Sequence, residues 1–315
     1  LFLFEDAPRS AAHNGGALSV QVAAFLRRPG LVSLRVVGED DFFEILPSWN
    51  ASRDDDFVLK VSLLRGGVWS APRRLARWSG EAGGAGSCWH GDGLEASVDT
   101  LRSELPAQGF ALRCEGRVAG LRRLAVSLRR EGFVAGRAGV LEGAGIELLV
   151  PELSQRALPE PLGPRICSPT SLAMLLGFWN VERAAPAALA GAVLDRDQDL
   201  FGNWSLNVAE AGARGLLAIA AWLPSLEACE AELRAGRPLA LSHRFAKGEL
   251  SASPLASSAG HLLVLRGMTS RGDLIVNDPA ADPEKGEAVR RVYPRAAFAR
   301  SWDGLAYLMA PEPSL

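Results

Sequence analysis

The chain has 315 residues, a net charge of −2 and an apolar share of 48%, enough for one large domain or two ordinary ones with a buried core. That charge balance, with no basic block, argues against a partner of the nucleic-acid class, and no apolar run reaches the length of a membrane span. His13, His90, His243 and His261 are scattered, without an HExxH pattern, and Cys88, Cys114, Cys167 and Cys229 show no CxxC spacing, so neither a metal site nor another cofactor is expected.

Residues 1–16 are mixed in character and expected to be irregular. Residue 1 is Leu rather than Met, which fits a removed leader and an extracytoplasmic or secreted protein, with a cytoplasmic one left open. Short apolar runs follow at 18–22, 31–37, 57–63 and 124–128, several alternating with period two. Turn signals at 27–30 and 65–67 separate them, so the spacing predicts an antiparallel β-sandwich. Trp49, Trp78 and Trp89 fall at strand or loop ends, where they either fill the core or stack on sugar or peptide. Gly132, Gly136, Gly139, Gly143 and Gly145 lack a following Gly-Lys-Ser/Thr helix start, so they read as a surface loop or hairpin rather than a phosphate cradle. Cys88 and Cys114 either pair in an oxidising compartment or remain free thiols. A boundary near Val150 and Pro151 divides the chain into 1–150 and 151–315.

Beyond a proline-rich stretch at 156–164, Cys167 stands directly ahead of a strong helix start. Ser168 and Thr170 are candidate caps, and Pro169 suits the first turn. Leu172, Leu175, Leu176 and Trp179 repeat at helical spacing and predict one buried face, with Gly177 and Asn180 as end signals. A thiol there feels the positive end of the helix dipole, which favours the nucleophilic thiolate; a buried structural cysteine is the plain alternative. Helices are expected over 186–194, 206–213 and 225–235, the last capped by Ser225, ended by Gly236 and burying Cys229. Strands are expected over 216–222 and 237–242. A loop over 244–259 is either a lid or specificity loop or a plain excursion, and His243 at its start is a second base, a surface residue or a cleft wall. His261 opens a buried strand over 260–267, a turn follows at 270–273, and Asp278 closes the return strand before Pro279. Adjacent antiparallel strands bring those two ends together, so the carboxylate can orient the imidazole while the imidazole takes the thiol proton. Gly260 leaves room beside the histidine for a substrate backbone. A loop and helix over 293–302 and a strand over 305–309 complete the chain.

The segments Cys167-Ser168-Pro169-Thr170-Ser171-Leu172, Gly260-His261-Leu262-Leu263-Val264 and Val276-Asn277-Asp278-Pro279 resemble the three motifs of the C39-like cysteine peptidases, a branch of the papain-like group, over about residue 150 to the C-terminus. The resemblance implies a papain-like cysteine peptidase domain; joined to the N-terminal antiparallel β-sandwich read from the strand spacing, it makes a multidomain α+β protein. It implies Cys167 as nucleophile, His261 as general base and then acid, and Asp278 as the orienting group. It makes Gln155 the candidate oxyanion donor and places Ser168, Gly260 and Asn277 at the cleft. Ser168 replaces the glycine of the Cys-Gly-Pro-Thr found in many relatives. The expected reaction is hydrolysis of a peptide amide bond. Alternatives are a peptidoglycan amidase or acyltransferase with the same triad, or a binding protein that kept the fold. The expected partner is therefore a peptide or cell-wall-type substrate; assembly state is not legible.

Overall fold

A computed structural model describes residues 17–22, 26–28, 30–135, 145–181 and 183–312. The chain forms two compact units, Leu1–Phe133 with Ala192–Ala213, and Val134–Gly191 with Arg214–Leu315. The boundary expected near Val150 lies inside the second unit, and a segment from the middle of the C-terminal half belongs to the first.

The first unit is antiparallel β structure, as its alternating runs predict. Its strands are β1 (Ala17–Val22), β2 (Leu26–Arg28), β3 (Leu31–Asn50), β4 (Asp56–Arg65), β5 (Val68–Trp69), β6 (Arg73–Ser79), β7 (Gly83–Gly91), β8 (Leu94–Val98), β9 (Thr100–Arg117) and β10 (Arg123–Arg129). All ten are hydrogen-bonded into one sheet, β1-β10-β3-β9-β8-β7-β6-β4-β5, with β2 on β3. The long strand β9 meets β8 with its first residues, β4 with its last and β3 at both ends, so pairing runs from β9 through β8, β7, β6 and β4 back to β9. Phe57, Leu59, Val61 and Leu63 alternate inward along β4, as a strand with one covered face requires. Trp49 packs edge-on against Phe57 and Trp78, at 5.9 and 6.4 Å between ring centroids. These two tryptophans therefore fill the core, whereas Trp89 is half-buried with Arg73 stacked 3.7 Å from its ring. Cys88 is exposed, Cys114 is buried in β9, and all four cysteines are free, so the two sulfurs do not pair. Gly136, Gly139 and Gly143 lie outside the described residues.

Helix α3 completes this core. The chain enters the first unit near the end of α2 (Pro186–Val193), which follows α1 (Cys167–Phe178), and then forms α3 (Trp204–Ala213). Leu206 and Ala209 of α3 join the cluster around Trp49 and Phe57. Gly212 lies so close to β3 that a Cβ there would meet the Asn50 side chain at 2.7 Å. The seat is polar at its edges. Ser205 Oγ donates to Pro47 O at 2.7 Å, and Arg53 pairs with Glu210 at 2.6 Å. The buried Asp195 gathers the preceding loop. Its Oδ2 accepts from Gly86 N and Asn203 Nδ2, both at 2.8 Å, and its Oδ1 accepts from Asp197 N and Gln198 N. Asp99 Oδ2 accepts from Trp204 N at 2.6 Å at the start of α3.

The second unit holds the remaining strands, β11 (Ile146–Glu147), β12 (Leu216–Trp222), β13 (Leu239–Phe245), β14 (Ser258–Met268), β15 (Leu274–Asn277), β16 (Arg290–Tyr293) and β17 (Trp302–Pro311), with α4 (Leu226–Arg234) and α5 (Arg295–Ser301). They form an antiparallel sheet in the order β12-β17-β13-β14-β15-β16, with β11 on β14. The strands β13, β14 and β15 are buried on both faces over Leu239–His243, His261–Met268 and Leu274–Asn277. Helix α4 keeps the expected ends, with Ser225 Oγ accepting from Ala228 N and Gly236 left-handed at φ +75°. Strand β16 was not expected; its Arg-Arg-Val-Tyr carries little apolar signal.

Helix α1 differs from expectation in two ways. Every residue from Ser168 to Leu176 is buried, so the helix is enclosed on all sides rather than along one face. Ser168, Thr170, Ser171 and Ala173 supply a small-residue side that lets neighbours approach closely. The N-cap is Ile166 with no side-chain bond, because a tight turn at Gly163–Arg165 feeds the helix and it begins at Cys167. Gly163 makes that turn possible, since a Cβ there would lie 2.2 Å from Leu158 O. Ser168 and Thr170 therefore sit inside the first turn instead of capping it.

Candidate active site

Three elements meet at the site. Helix α1 presents Cys167 at its first residue, half-buried, and packs against β13 and β14. Strand β14 carries His261, buried and directly opposite His243 of β13. Strand β15 pairs with β14 in the register Val264↔Asn277 and Leu265↔Val276, which brings Asp278, one residue past its end, back beside His261. The turn between them uses Gly272 at φ +81°, whose N–H donates to Thr269 O.

The resulting chain of hydrogen bonds is continuous. His261 Nε2 bonds Asp278 Oδ1 at 2.7 Å, which leaves Nδ1 for the Cys167 thiol, hydrogen-bonded to the same ring. The Leu262 backbone N–H also acts on the Cys167 sulfur and favours its thiolate. Asp278 is fully buried and collects two more donors, Ala280 N at 2.9 Å on Oδ1 and the Tyr293 hydroxyl on Oδ2.

The electrostatics follow from burial set against these partners. Burial alone would raise the Cys167 thiol, but the hydrogen bond and charge of His261 outweigh it and hold the thiol below its ordinary range. Burial alone would lower His261, yet the Asp278 charge and hydrogen bond raise it to about 10. Burial alone would raise Asp278, and His261, Tyr293 and the Ala280 N–H bring it down to about 2. Each shift favours a charged group next to an opposite charge. Together they favour a thiolate beside an imidazolium, at a helix N-terminus that adds further positive potential. His243 behaves in the opposite way. It is buried between Phe245 and Phe298, its ring 5.4 Å from that of His261, and neither of its nitrogens has a hydrogen-bond partner. Burial and the His261 charge push it down to about 3, so it is a neutral aromatic wall and not a second base.

The other expected site residues fall into different places. Gln155 is buried, its N–H donates to Pro279 O at 2.8 Å, and Ser154 Oγ donates to Ala281 O at 2.6 Å. These bonds pin the Gln155 segment to the residues just after Asp278, and the Gln155 Oε1 has no hydrogen-bond partner. Gly260 is exposed, with open space where a side chain would stand. Ser168 and Asn277 do not face a cleft. Ser168 is fully buried with its hydroxyl 3.0 Å from that of Tyr307. Asn277 is also fully buried; its Nδ2 donates to Pro151 O at 2.9 Å and its Oδ1 accepts from Arg266 at 3.0 Å. Buried polar side chains need partners, and here the partners lie in the core. Sequence reasoning missed Tyr293, whose hydroxyl donates to Asp278, and the Leu262 N–H, which favours the thiolate. The signal for Tyr293 is composition: the chain has 2 tyrosines against 12 phenylalanines, both are buried, and each places its hydroxyl on a residue of the expected site.

Among the described residues no cluster of three or more His, Cys, Asp or Glu side chains could hold a metal ion, and no helix is long and apolar enough to cross a membrane. No curated protein matches the chain. Among solved structures, the crystal structure of a candidate C39-like peptidase from Bacillus anthracis aligns at 20% identity and a TM-score of 0.41, covering 55% of this chain and 100% of that one. The model of the Peptidase_C39 like family matches residues 147–309, a span that includes Cys167, His261 and Asp278. That span exceeds half of the 315 residues, and the chain accordingly belongs to the Peptidase_C39 like family.

Proposed function

We propose that this protein is a multidomain α+β hydrolase, an accessory β-sandwich joined to a papain-like domain, that cleaves a peptide amide bond through Cys167, His261 and Asp278. The observation that carries the reading is the unbroken run of hydrogen bonds from the thiol through the imidazole to a buried carboxylate, with the sulfur at a helix N-terminus. The thiolate attacks the scissile carbonyl carbon, and the carbonyl π electrons move to oxygen. The Cys167 backbone N–H, free at the start of α1, and the Gln155 side-chain amide are the donors we assign to that oxyanion. His261 gives its proton to the departing amine and the C–N bond breaks, leaving a thioester. His261 then takes a proton from water as the water attacks the thioester, and the acid leaves with the sulfur restored. Asp278 keeps its charge throughout and holds the ring. Gly260 leaves space beside the imidazole for an extended substrate backbone.

The test is turnover of a peptide pool by wild type and Cys167→Ala, with products identified by mass spectrometry. The expected loss is on the order of 10³-fold or more. Full activity in Cys167→Ala would overturn the reading. Running the same assay with cell-wall fragments and with an added amine separates peptide hydrolysis from amidase or transfer chemistry, which share the thioester.

A further inference from the structure

We infer that Tyr293 is a positioning residue of this site and that, through Ser253, it couples the 246–257 loop to the ionisation of Cys167; this rests on the triad reading above. Tyr293 ends β16, which pairs with β15 in the register Leu274↔Tyr293. Its ring is fully buried, tilted against Phe298 at 6.2 Å and His243 at 6.5 Å. A phenylalanine would serve that packing, so the hydroxyl has another use.

That hydroxyl is bonded to the carboxylate and acted on from the loop. The Leu255 N–H donates to Ser253 Oγ at 3.2 Å, Ser253 acts on the Tyr293 hydroxyl, and Tyr293 donates to Asp278 Oδ2. The loop is tied to the same strand where Arg291 Nε donates to Ala252 O at 2.8 Å, and its Leu250 is buried. The loop over 246–257 is therefore joined to the carboxylate that orients His261.

Two effects of the Tyr293 hydroxyl act in the same direction. It fixes Oδ2, so that Oδ1 stays aimed at His261 and the ring stays aimed at the sulfur. It also turns the positive end of an O–H dipole toward Asp278, offsetting a carboxylate charge that by itself raises the Cys167 thiol. The other titratable and charged groups here are Cys167 on α1, His261 on β14, His243 on β13 and Arg291 on β16; His243 stays neutral, and Arg291 acts on Tyr293.

The experiment is alkylation of Cys167 by iodoacetamide across pH, read by mass spectrometry on the full chain. Wild type, Tyr293→Phe, Ser253→Ala, Ser253→Thr and His261→Ala are compared. Tyr293→Phe is expected to move the acid limb upward by about one pH unit, a loss of about tenfold in reactivity at fixed pH on that limb. Ser253→Ala is expected to move it in the same direction by less, and Ser253→Thr, which keeps the hydroxyl, to restore it. Tyr293→Phe and Ser253→Ala profiles that coincide with wild type overturn the inference, even if melting temperatures fall, because a purely structural role lowers stability without moving the profile. If Tyr293→Phe does not fold, Ser253→Ala and Ser253→Thr decide. Failure of the triad reading looks different: Cys167 in wild type would then react no faster than the exposed Cys88, and His261→Ala would change nothing.

Discussion

Each of the two units buries a carboxylate completely, and the difference lies in who donates to it. Asp195 in the β-rich unit accepts two bonds on each oxygen, three from backbone N–H groups and one from the Asn203 amide. None of those donors releases a proton in any ordinary pH range, so the carboxylate can only hold a loop in place. Asp278 accepts from a backbone N–H, a phenol and an imidazole, and the imidazole in turn meets a thiol. Burial of a charge is common to both; the chemistry enters through donors that can themselves change protonation state.

Substitutions that preserve or remove each carboxylate sharpen that contrast. Asp278→Asn keeps the shape but removes the charge that stabilises the imidazolium, and it is expected to lower kcat/KM by about 10²-fold or more, read by initial rates on an authenticated peptide. Asp195→Ala leaves several buried donors without a partner and is expected to cost about 3 kcal/mol in the β-rich unit, read by urea denaturation, while the alkylation profile of Cys167 stays as in wild type. A shifted profile in Asp195→Ala would break the distinction between the two carboxylates.

The smallest effect is a difference of sign with pH. Asp278 is held down from 3.8 to about 2, so its folded form binds fewer protons than the unfolded chain in that interval. Its stabilisation is fully present above 3.8 and is lost as the pH falls through about 2. Asp99, beside the start of α3, is pushed up from 3.8 to about 7 by burial, against the Trp204 and Ser205 N–H groups and with the Asp195 charge adding to the rise. Folding there favours the protonated acid, so the β-rich unit should lose stability as the pH rises from about 4 to about 7. Asp99→Asn, always neutral, should flatten that slope in thermal melts followed by intrinsic fluorescence.

The site was legible in the sequence where its signals are local. Cys167 stands at a helix start, His261 opens an apolar strand, and Asp278 lies between a strand and a proline; each can be read within a few residues. The side-chain directions of Ser168 and Asn277 were not legible, because small polar residues beside a catalytic group look the same whether they face a cleft or a core. Tyr293 escaped because its partner is set by the β15–β16 register and not by its neighbours in sequence. In the β-rich unit, the strands β3 and β9 run for 20 and 18 residues, across Gly38, Pro47, Pro106 and Gly109, which read as breaks. Register shifts between Val37 and Phe42 absorb part of that irregularity. The helix over 206–213 was readable, but nothing local says which core it joins or that Ser205–Gly212 are all buried.

The passage of α3 into the first unit bears on how the chain can be divided. Its Leu206, Val208 and Ala209 are fully buried, and Leu206 and Ala209 belong to the β-rich core. A fragment that stops at residue 150 would lack them and open that core to water, while a fragment that begins at residue 151 would carry an apolar helix with nothing to cover it. Neither half is a free-standing module that fusion or truncation at one point could exchange. A clean excision would need to replace 192–213 with a short connection in one fragment and restore that segment as a separate peptide to the other.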